Sequence, residues 1–371
     1  MNEKRVRLIL LLAGSLVGLL MAEAILRLIR PPQLGISLQP CIYQRDEVTG
    51  YRHRPGASGL KIREFEIENV VRINSWGFHD VPPKSREADP FPVVVVIGDS
   101  FTASLEVDVS QGWTRILERE LRRRGYPRAA VYNFGLNGTG TSVQLTLFER
   151  HLPRLQPDLV LLAFYRNDFK DVTSPMVYKE CYRGYVLTYI SEEQRRFSKA
   201  YVDRHWPGPL FSWLYHKSFM FRAAALLSKR GVLLQSNSLN PSRLGIPAGG
   251  TVAKGGKGGK GPRPVDRLKQ AFRRYKRLGR KHGFHFIVLP VPTKTSLTGS
   301  LDLLEKRMPA VRSLVSVLDV APVLEQLEQK TNVEVHENLY WTHDPHFNVS
   351  GNRLFGQSVA ELLVQPLAAL E

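Results

Sequence analysis

The stretch PVVVVIGDSFT, Pro92–Thr102, decides the fold. An unbroken β-branched run, Val93 to Ile97, closes on Gly98. A strand with one wet face would alternate apolar and polar residues, so this one predicts a parallel strand covered on both faces. Downstream, WTRILERELRRR (Trp113–Arg124) has helical periodicity and is stopped by Gly125 and Pro127. AAVYNFG (Ala129–Gly135) predicts a second strand, Ser142–Leu152 a helix, and DLVLLAFY (Asp158–Tyr165) a third strand. Strands alternating with helices predict an α/β fold of three layers, α/β/α, around a central parallel sheet.

Outward from that core the pattern weakens on both sides. Residues 31–90 form an extended lead-in rich in Pro and Gly, with weak strand character around Leu60–Ile73. The main domain is expected over 91–371, interrupted by an insertion at about 169–264. The insertion holds Trp206, Trp213, Tyr215, Phe219 and Phe221, which fit a lid or a small satellite core. It ends in GGTVAKGGKGGKGPRP, a composition that cannot bury a core and predicts a linker or loop. The alternation resumes with a basic helix over Val265–His282 and a strand over Phe284–Val291. Helices are expected over Leu301–Val317, Val323–Gln329 and Val349–Val364.

Residues 1–30 are a membrane anchor or signal. Lys4, Arg5 and Arg7 precede the apolar run Leu8–Met21, which continues to Leu26 and meets Arg27 and Arg30. A span needs about 20 residues, and Leu8–Leu26 just reaches. Ala22-Glu23-Ala24 also fits a signal-peptidase site, so a cleaved, secreted form is the alternative, and a buried core helix a third reading. The uncleaved single-pass anchor is favoured, with the leading positive charge keeping the N-terminus inside and the catalytic bulk extracytoplasmic. The net charge is +18, which draws a protein toward something anionic. No zinc-finger spacing, RRM signature or basic zipper accompanies it, so nucleic acid is not the expected partner. A basic segment, Lys254–Lys281, could contact anionic lipid or glycan, although a solvated helix face explains the same charges. Cys41 and Cys181 could pair if exported, but two unrelated thiols are the preferred reading.

Four blocks carry chemistry. Gly98-Asp99-Ser100 follows the first strand, where a hydroxyl meets the ligand crevice of an open α/β sheet. A serine there needs an adjacent base to be a nucleophile, and Asp99 or Ser100 could instead simply cap a helix. Asn133–Gly140 follows the second strand, and its glycines can bring a backbone N–H to a ligand. Tyr165-Arg166-Asn167-Asp168 ends the third strand and offers an amide donor. Asp344-Pro345-His346 precedes the last helix, pairing a carboxylate with an imidazole. Each alone could be an ordinary turn.

Taken in order, Ser, Gly, Asn and His resemble the signature of the SGNH hydrolase superfamily, the GDSL esterases and lipases, over about residue 70 to the C-terminus. Asn74-Ser-Trp-Gly-Phe78 is similar to the lead-in of membrane-anchored bacterial members. The resemblance implies a flavodoxin-like sheet and a serine ester hydrolase with no cofactor or metal. It implies Ser100 as nucleophile, His346 as base and Asp344 as its partner. The Ser100 and Gly138 N–H groups and the Asn167 amide would form the oxyanion hole. The chain departs from the family pattern twice. Tyr165 stands where the third block has glycine, and His343 stands where an Asp-x-x-His block has its aspartate. The expected substrate is an acylated carbohydrate or lipid. O-acyl transfer to a surface polysaccharide is the closest alternative, followed by a non-catalytic binding module. A metallophosphoesterase fits less well, because its Asp-x-His opens the chain rather than closing it.

Overall fold

A computed structural model describes residues 3–83, 89–227, 233–241, 263–331 and 338–370. The low-complexity stretch with Lys254, Lys257 and Lys260 lies outside the described residues.

Helix α1 (Glu3–Ile29) is long and apolar enough to cross a membrane, with a mean hydropathy of 2.3 and no buried residue. The lead-in folds into short strands: β1 (Ser37–Leu38), β2 (Tyr43–Asp46), β3 (Gly50–His53), β4 (Ser58–Arg63) and β5 (Ile67–Arg72). They pair antiparallel as β1-β4-β5 and β2-β3. Strand β5 alternates buried and exposed positions perfectly, so Ile67, Asn69 and Val71 face inward. Ile42, Tyr43, Tyr51, Val71 and Ile73 join the main core, so the lead-in is packed on the domain along much of its length.

The central sheet is parallel. Its strands are β6 (Val93–Gly98), β7 (Ala130–Gly135), β8 (Leu159–Phe164), β12 (His285–Pro290) and β13 (Ser316–Val317), in the order β13-β12-β8-β6-β7. Between these lie helices α2 (Ser100–Ala103), α3 (Trp113–Arg123), α4 (Thr141–Leu155) and α5 (Asp168–Asp171). The insertion contributes β9 (Tyr178–Tyr182), β10 (Tyr185–Tyr189), α6 (Glu192–His205), α7 (Gly208–Lys217), α8 (Phe219–Ala225) and β11 (Ser238–Leu239). Helices α9 (Pro264–His282), α10 (Ala321–Thr331) and α11 (Val349–Ala368) complete the chain.

The two faces of β6 divide the core. Val95 and Ile97 face Phe148 of α4 and Leu268, Phe272 and Tyr275 of α9. Val94 and Val96 face Trp113 and Leu117 of α3 and Phe355, Val359 and Leu363 of α11. An all-apolar strand is what burial on both sides requires. The chain leaves β6 for β7 on one side and returns to β8 on the other, so the switch point, and with it the ligand crevice, lies at the carboxyl end of β6.

One expected helix breaks up. Leu301–Val317 contains a short helix (Gly299–Asp302), a π turn, a second short helix begun by Pro309, and then β13. Proline lacks the N–H that would continue a helix through this point. Tyr178, Tyr182, Tyr185, Tyr189 and Tyr201 of the insertion form one satellite cluster and Phe211, Tyr215 and Phe221 another, while Trp206 and Trp213 are exposed. Cys41 and Cys181 form a disulfide, contrary to the preferred reading of two separate thiols. Their positions are 140 residues apart, and only the packing of the lead-in beside β9 and β10 brings them together.

Candidate active site

The hydroxyl is placed by a tight turn. Gly98 ends β6, and the Asp99 carboxylate accepts from the Phe101 N–H at 2.9 Å, capping α2. Ser100 is therefore the first residue of α2, half-exposed in the crevice, with its N–H among the unpaired donors of a helix start. The turn is close-packed against β7: a Cβ on Gly135 would lie 2.1 Å from the Ala103 nitrogen. Asn133 binds the same turn from below, donating to the Thr102 carbonyl at 2.7 Å.

The imidazole comes from the loop before α11. Tyr340 and Phe347 form an isolated antiparallel bridge, and the Trp341 N–H donates to the His346 carbonyl. Lys294 Nζ donates to the carbonyls of Trp341 and Thr342, both at 2.6 Å, and Asn348 caps α11. His346 Nε2 lies 2.8 Å from Ser100 Oγ. His346 Nδ1 lies 2.5 Å from Asp344 Oδ1, which also accepts the His346 backbone N–H at 3.0 Å. Ser100, His346 and Asp344 thus form one connected chain of hydrogen bonds. His343 is exposed, and its N–H donates to Glu66. The aspartate beside the imidazole is Asp344.

Two features of this cluster have no sequence motif. Glu106 is buried, with Oε1 3.6 Å from His346 Nδ1 and 3.4 Å from Lys61 Nζ. Arg63 donates to Asp344 Oδ2 at 2.9 Å. The imidazole therefore faces two carboxylates, each paired with its own cation. Burial opposes a charge on His346, but the Glu106 carboxylate and then Asp344 outweigh it and raise the pKa to about 9. Burial likewise works against the Asp344 charge, yet the His346 hydrogen bond holds its carboxyl well below the usual range. Asp99, buried beneath the turn, is pushed up to about 6 by desolvation. Glu106, Asp344 and His346 hold ligand-type atoms within 4.8 Å of one another. These are the atoms already engaged with each other, and Lys61 and Arg63 already balance the two carboxylates. The donor set therefore fits a protein-neutralised cluster better than a cation site.

Gly138 and Asn167 stand at the carboxyl ends of β7 and β8, flanking the end of β6. Gly138 has φ +75°, a left-handed conformation that glycine adopts without strain. The Asn137 carbonyl, which shares a trans peptide with the Gly138 N–H, accepts from Tyr51 Oη at 2.6 Å, and this directs that N–H to the opposite side of the peptide. The Asn167 amide nitrogen donates to Asp171 at 3.0 Å. In this structure it is thus turned to a carboxylate rather than left free. Beneath it, Asp168 accepts from Gln144 and from the Tyr165 N–H, both at 2.9 Å, and so holds the turn. Tyr165, in the position of the family's glycine, packs on Phe101 with ring centroids 4.2 Å apart. Asn74 accepts from the Trp76 and Phe78 N–H groups and folds the lead-in turn that sets His79 against the Ala103 carbonyl.

Residues 96–354 match the GDSL-like lipase/acylhydrolase family. Esterase TesA of Pseudomonas aeruginosa is 33% identical over 75 residues, 20% of this chain, and the matched part spans 37% of the length of that relative. Among solved structures, that of TesA covers 74% of this chain and 98% of its own at 15% identity and a TM-score of 0.37. The acetyl xylan esterase AlAXEase covers 73% and 99% at 12% identity and a TM-score of 0.38. The lipase/acylhydrolase of Enterococcus faecalis covers 73% and 94% at 14% identity and a TM-score of 0.37. With the family's match running from the β6 strand to the helix that follows His346, this chain belongs to the GDSL-like lipase/acylhydrolase family.

Proposed function

We propose that this chain is a serine esterase that removes O-acyl groups from an acylated carbohydrate or lipid. The observation that supports it most directly is the 2.8 Å contact between Ser100 Oγ and His346 Nε2, with Asp344 on the other ring nitrogen. In this reading neutral His346 takes the Ser100 proton as Oγ attacks the ester carbonyl. Asp344 holds the tautomer and stabilises the imidazolium that forms. The developing oxyanion is met by the Ser100 and Gly138 N–H groups and by the Asn167 amide, which must leave Asp171 to reach it. Each such donor is worth about 3 kcal/mol of transition-state stabilisation. His346 then protonates the leaving alcohol, and a water activated by the same imidazole releases the acyl group.

Transfer of the acyl group to a polysaccharide hydroxyl uses the same residues, and only the acceptor differs. An extracytoplasmic catalytic domain anchored by α1 is the reading that best suits the basic N-terminus and a disulfide, which persists in oxidising compartments. On α9, exposed Arg273, Lys276, Arg277 and Lys281 present a basic face suited to anionic lipid or glycan.

A fluorophosphonate probe tests the nucleophile. The chain is expected to label, and Ser100→Ala to abolish labelling without loss of fold. A well-folded wild-type chain that neither labels nor hydrolyses p-nitrophenyl acetate would remove the proposal. On acetylated glycans, release of acetate supports esterase action, whereas donor-dependent acylation with little hydrolysis supports transfer.

A further inference from the structure

The outer side of α7 carries apolar side chains that none of the described residues covers. Its inner side packs: Tyr215 is buried in a small cluster with Ile36, Ala225 and Leu234, and Phe211 lies against them. On the outer side, Leu210 and Trp213 are 70% and 57% exposed. They lie three residues apart, so they are neighbours on one side of the helix, and Lys217 continues the same row. A helix that is apolar on both sides is ordinarily enclosed. Trp206, just ahead of α7, is exposed as well.

The position of α7 says what could cover it. Its end, and the start of α8, are bonded to the last turns of α1. Glu23 accepts from Ser218 Oγ at 2.9 Å, from the Phe219 N–H at 3.1 Å and from the Met220 N–H at 3.0 Å. Arg27 donates to Glu23 at 2.8 Å and to the Lys217 carbonyl at 2.5 Å. A hydrocarbon layer of about 30 Å takes up about 20 helical residues. Counted from Leu8, that length runs to the neighbourhood of Arg27. Arg27 then sits at the boundary between acyl chains and headgroups with Glu23 about one turn inside it, and whatever is hydrogen-bonded to the pair lies close to that boundary. This is the zone in which tryptophan is enriched and from which Lys and Arg reach phosphates.

We propose that α7 is a bilayer-docking surface, with Leu210 and Trp213 entering the headgroup boundary beside α1. The proposal rests on the reading of α1 as a membrane anchor. Docking fixes how the catalytic domain is held on the membrane as well as the fact that it is tethered. A cavity of about 570 Å³ at the foot of α1 is lined by Arg30, Arg63, Phe65 and His343, next to the loop that carries Asp344 and His346. The docked orientation holds that cavity close to the lipid surface.

The test uses the full chain reconstituted in phosphatidylcholine–phosphatidylglycerol vesicles whose acyl chains carry bromine, with tryptophan fluorescence as readout. Quenching relative to unbrominated vesicles is expected, with most of it lost in Trp213→Phe and none lost in Trp76→Phe. Leu210→Ser, which keeps every tryptophan, is expected to reduce the quenching in part. Alkaline carbonate extraction reads the anchor separately. A chain that resists extraction, but whose quenching is the same with and without Trp213, overturns the docking surface and leaves the anchor standing. Release of the wild-type chain by carbonate overturns the anchor, and the docking surface with it.

Discussion

At the scale of single residues, His346 is held between two negative partners, and this sets a pH dependence. The two carboxylates raise the imidazole pKa to about 9 and so favour its protonated form, in which it does not accept the Ser100 proton. In that form Nε2–H donates to Ser100 Oγ instead of accepting from it. The esterase kcat/KM is therefore expected to rise with pH along a limb centred near 9. Glu106→Gln removes the first of the carboxylates that raise this pKa, so the limb should move to lower pH while Ser100 labelling persists; an unmoved limb would remove Glu106 from any positioning role. The stability link has the opposite sense. A folded pKa above the ordinary histidine value of about 6.5 favours the fold fully below that value, and the contribution is lost as pH rises through about 9. Melting temperature should fall over that interval, and less steeply in Glu106→Gln. Asn167→Ala should lower kcat by roughly 10²-fold with little change in KM, the pattern of a donor used only in the transition state. Equal losses in binding and turnover would assign Asn167 to substrate positioning instead.

At the scale of elements, the turn that carries Ser100 depends on how closely α2 lies over β7. A Cβ at Gly135 would approach the Ala103 nitrogen to 2.1 Å, and backbone on both sides leaves no flexible end to yield. Gly135→Ala should therefore destabilise the fold by about 1–3 kcal/mol and displace Ser100, read as a lower urea midpoint together with slower labelling. Helix α9 shows the complementary case. Its sequence is very basic, yet Leu268, Phe272 and Tyr275 recur at helical spacing and are fully buried against the sheet. Packing on the inner face decides where the helix lies, and among the cations of its outer face Arg274 pairs with Glu149 of α4. Periodicity predicted this helix and α3 within a residue or two at each end. It failed over Leu301–Val317, where apolar residues at helical spacing are cut by Pro309 and the last pair adds an edge strand to the sheet. Short strands at sheet edges are recruited by a neighbour's free backbone groups, which local sequence does not display.

At the scale of the whole molecule, the lead-in and the parallel domain meet around one site, and the insertion packs on the lead-in through β9. Lys61 and Arg63 come from β4, Glu106 from the loop after α2, and Asp344 and His346 from the far end of the chain. The Cys41–Cys181 disulfide ties the lead-in to the insertion. Because it closes a loop of 140 positions, its reduction is expected to cost about 2–4 kcal/mol, seen as a fall in melting temperature with reductant; an unchanged value would mean that packing alone holds the two together. Local sequence carried the parallel sheet and an apolar first helix, because periodicity is written within a few neighbouring residues. Ser100, Gly138, Asn167 and His346 were singled out by the resemblance of their order to that of a known family, since each block alone reads as an ordinary turn. Tertiary structure alone decided which carboxylates surround His346, which way the Asn167 amide points, and that the two cysteines are joined. Such contacts link positions tens to hundreds of residues apart, and no short stretch carries them. They exist only once burial has forced distant polar groups to find partners.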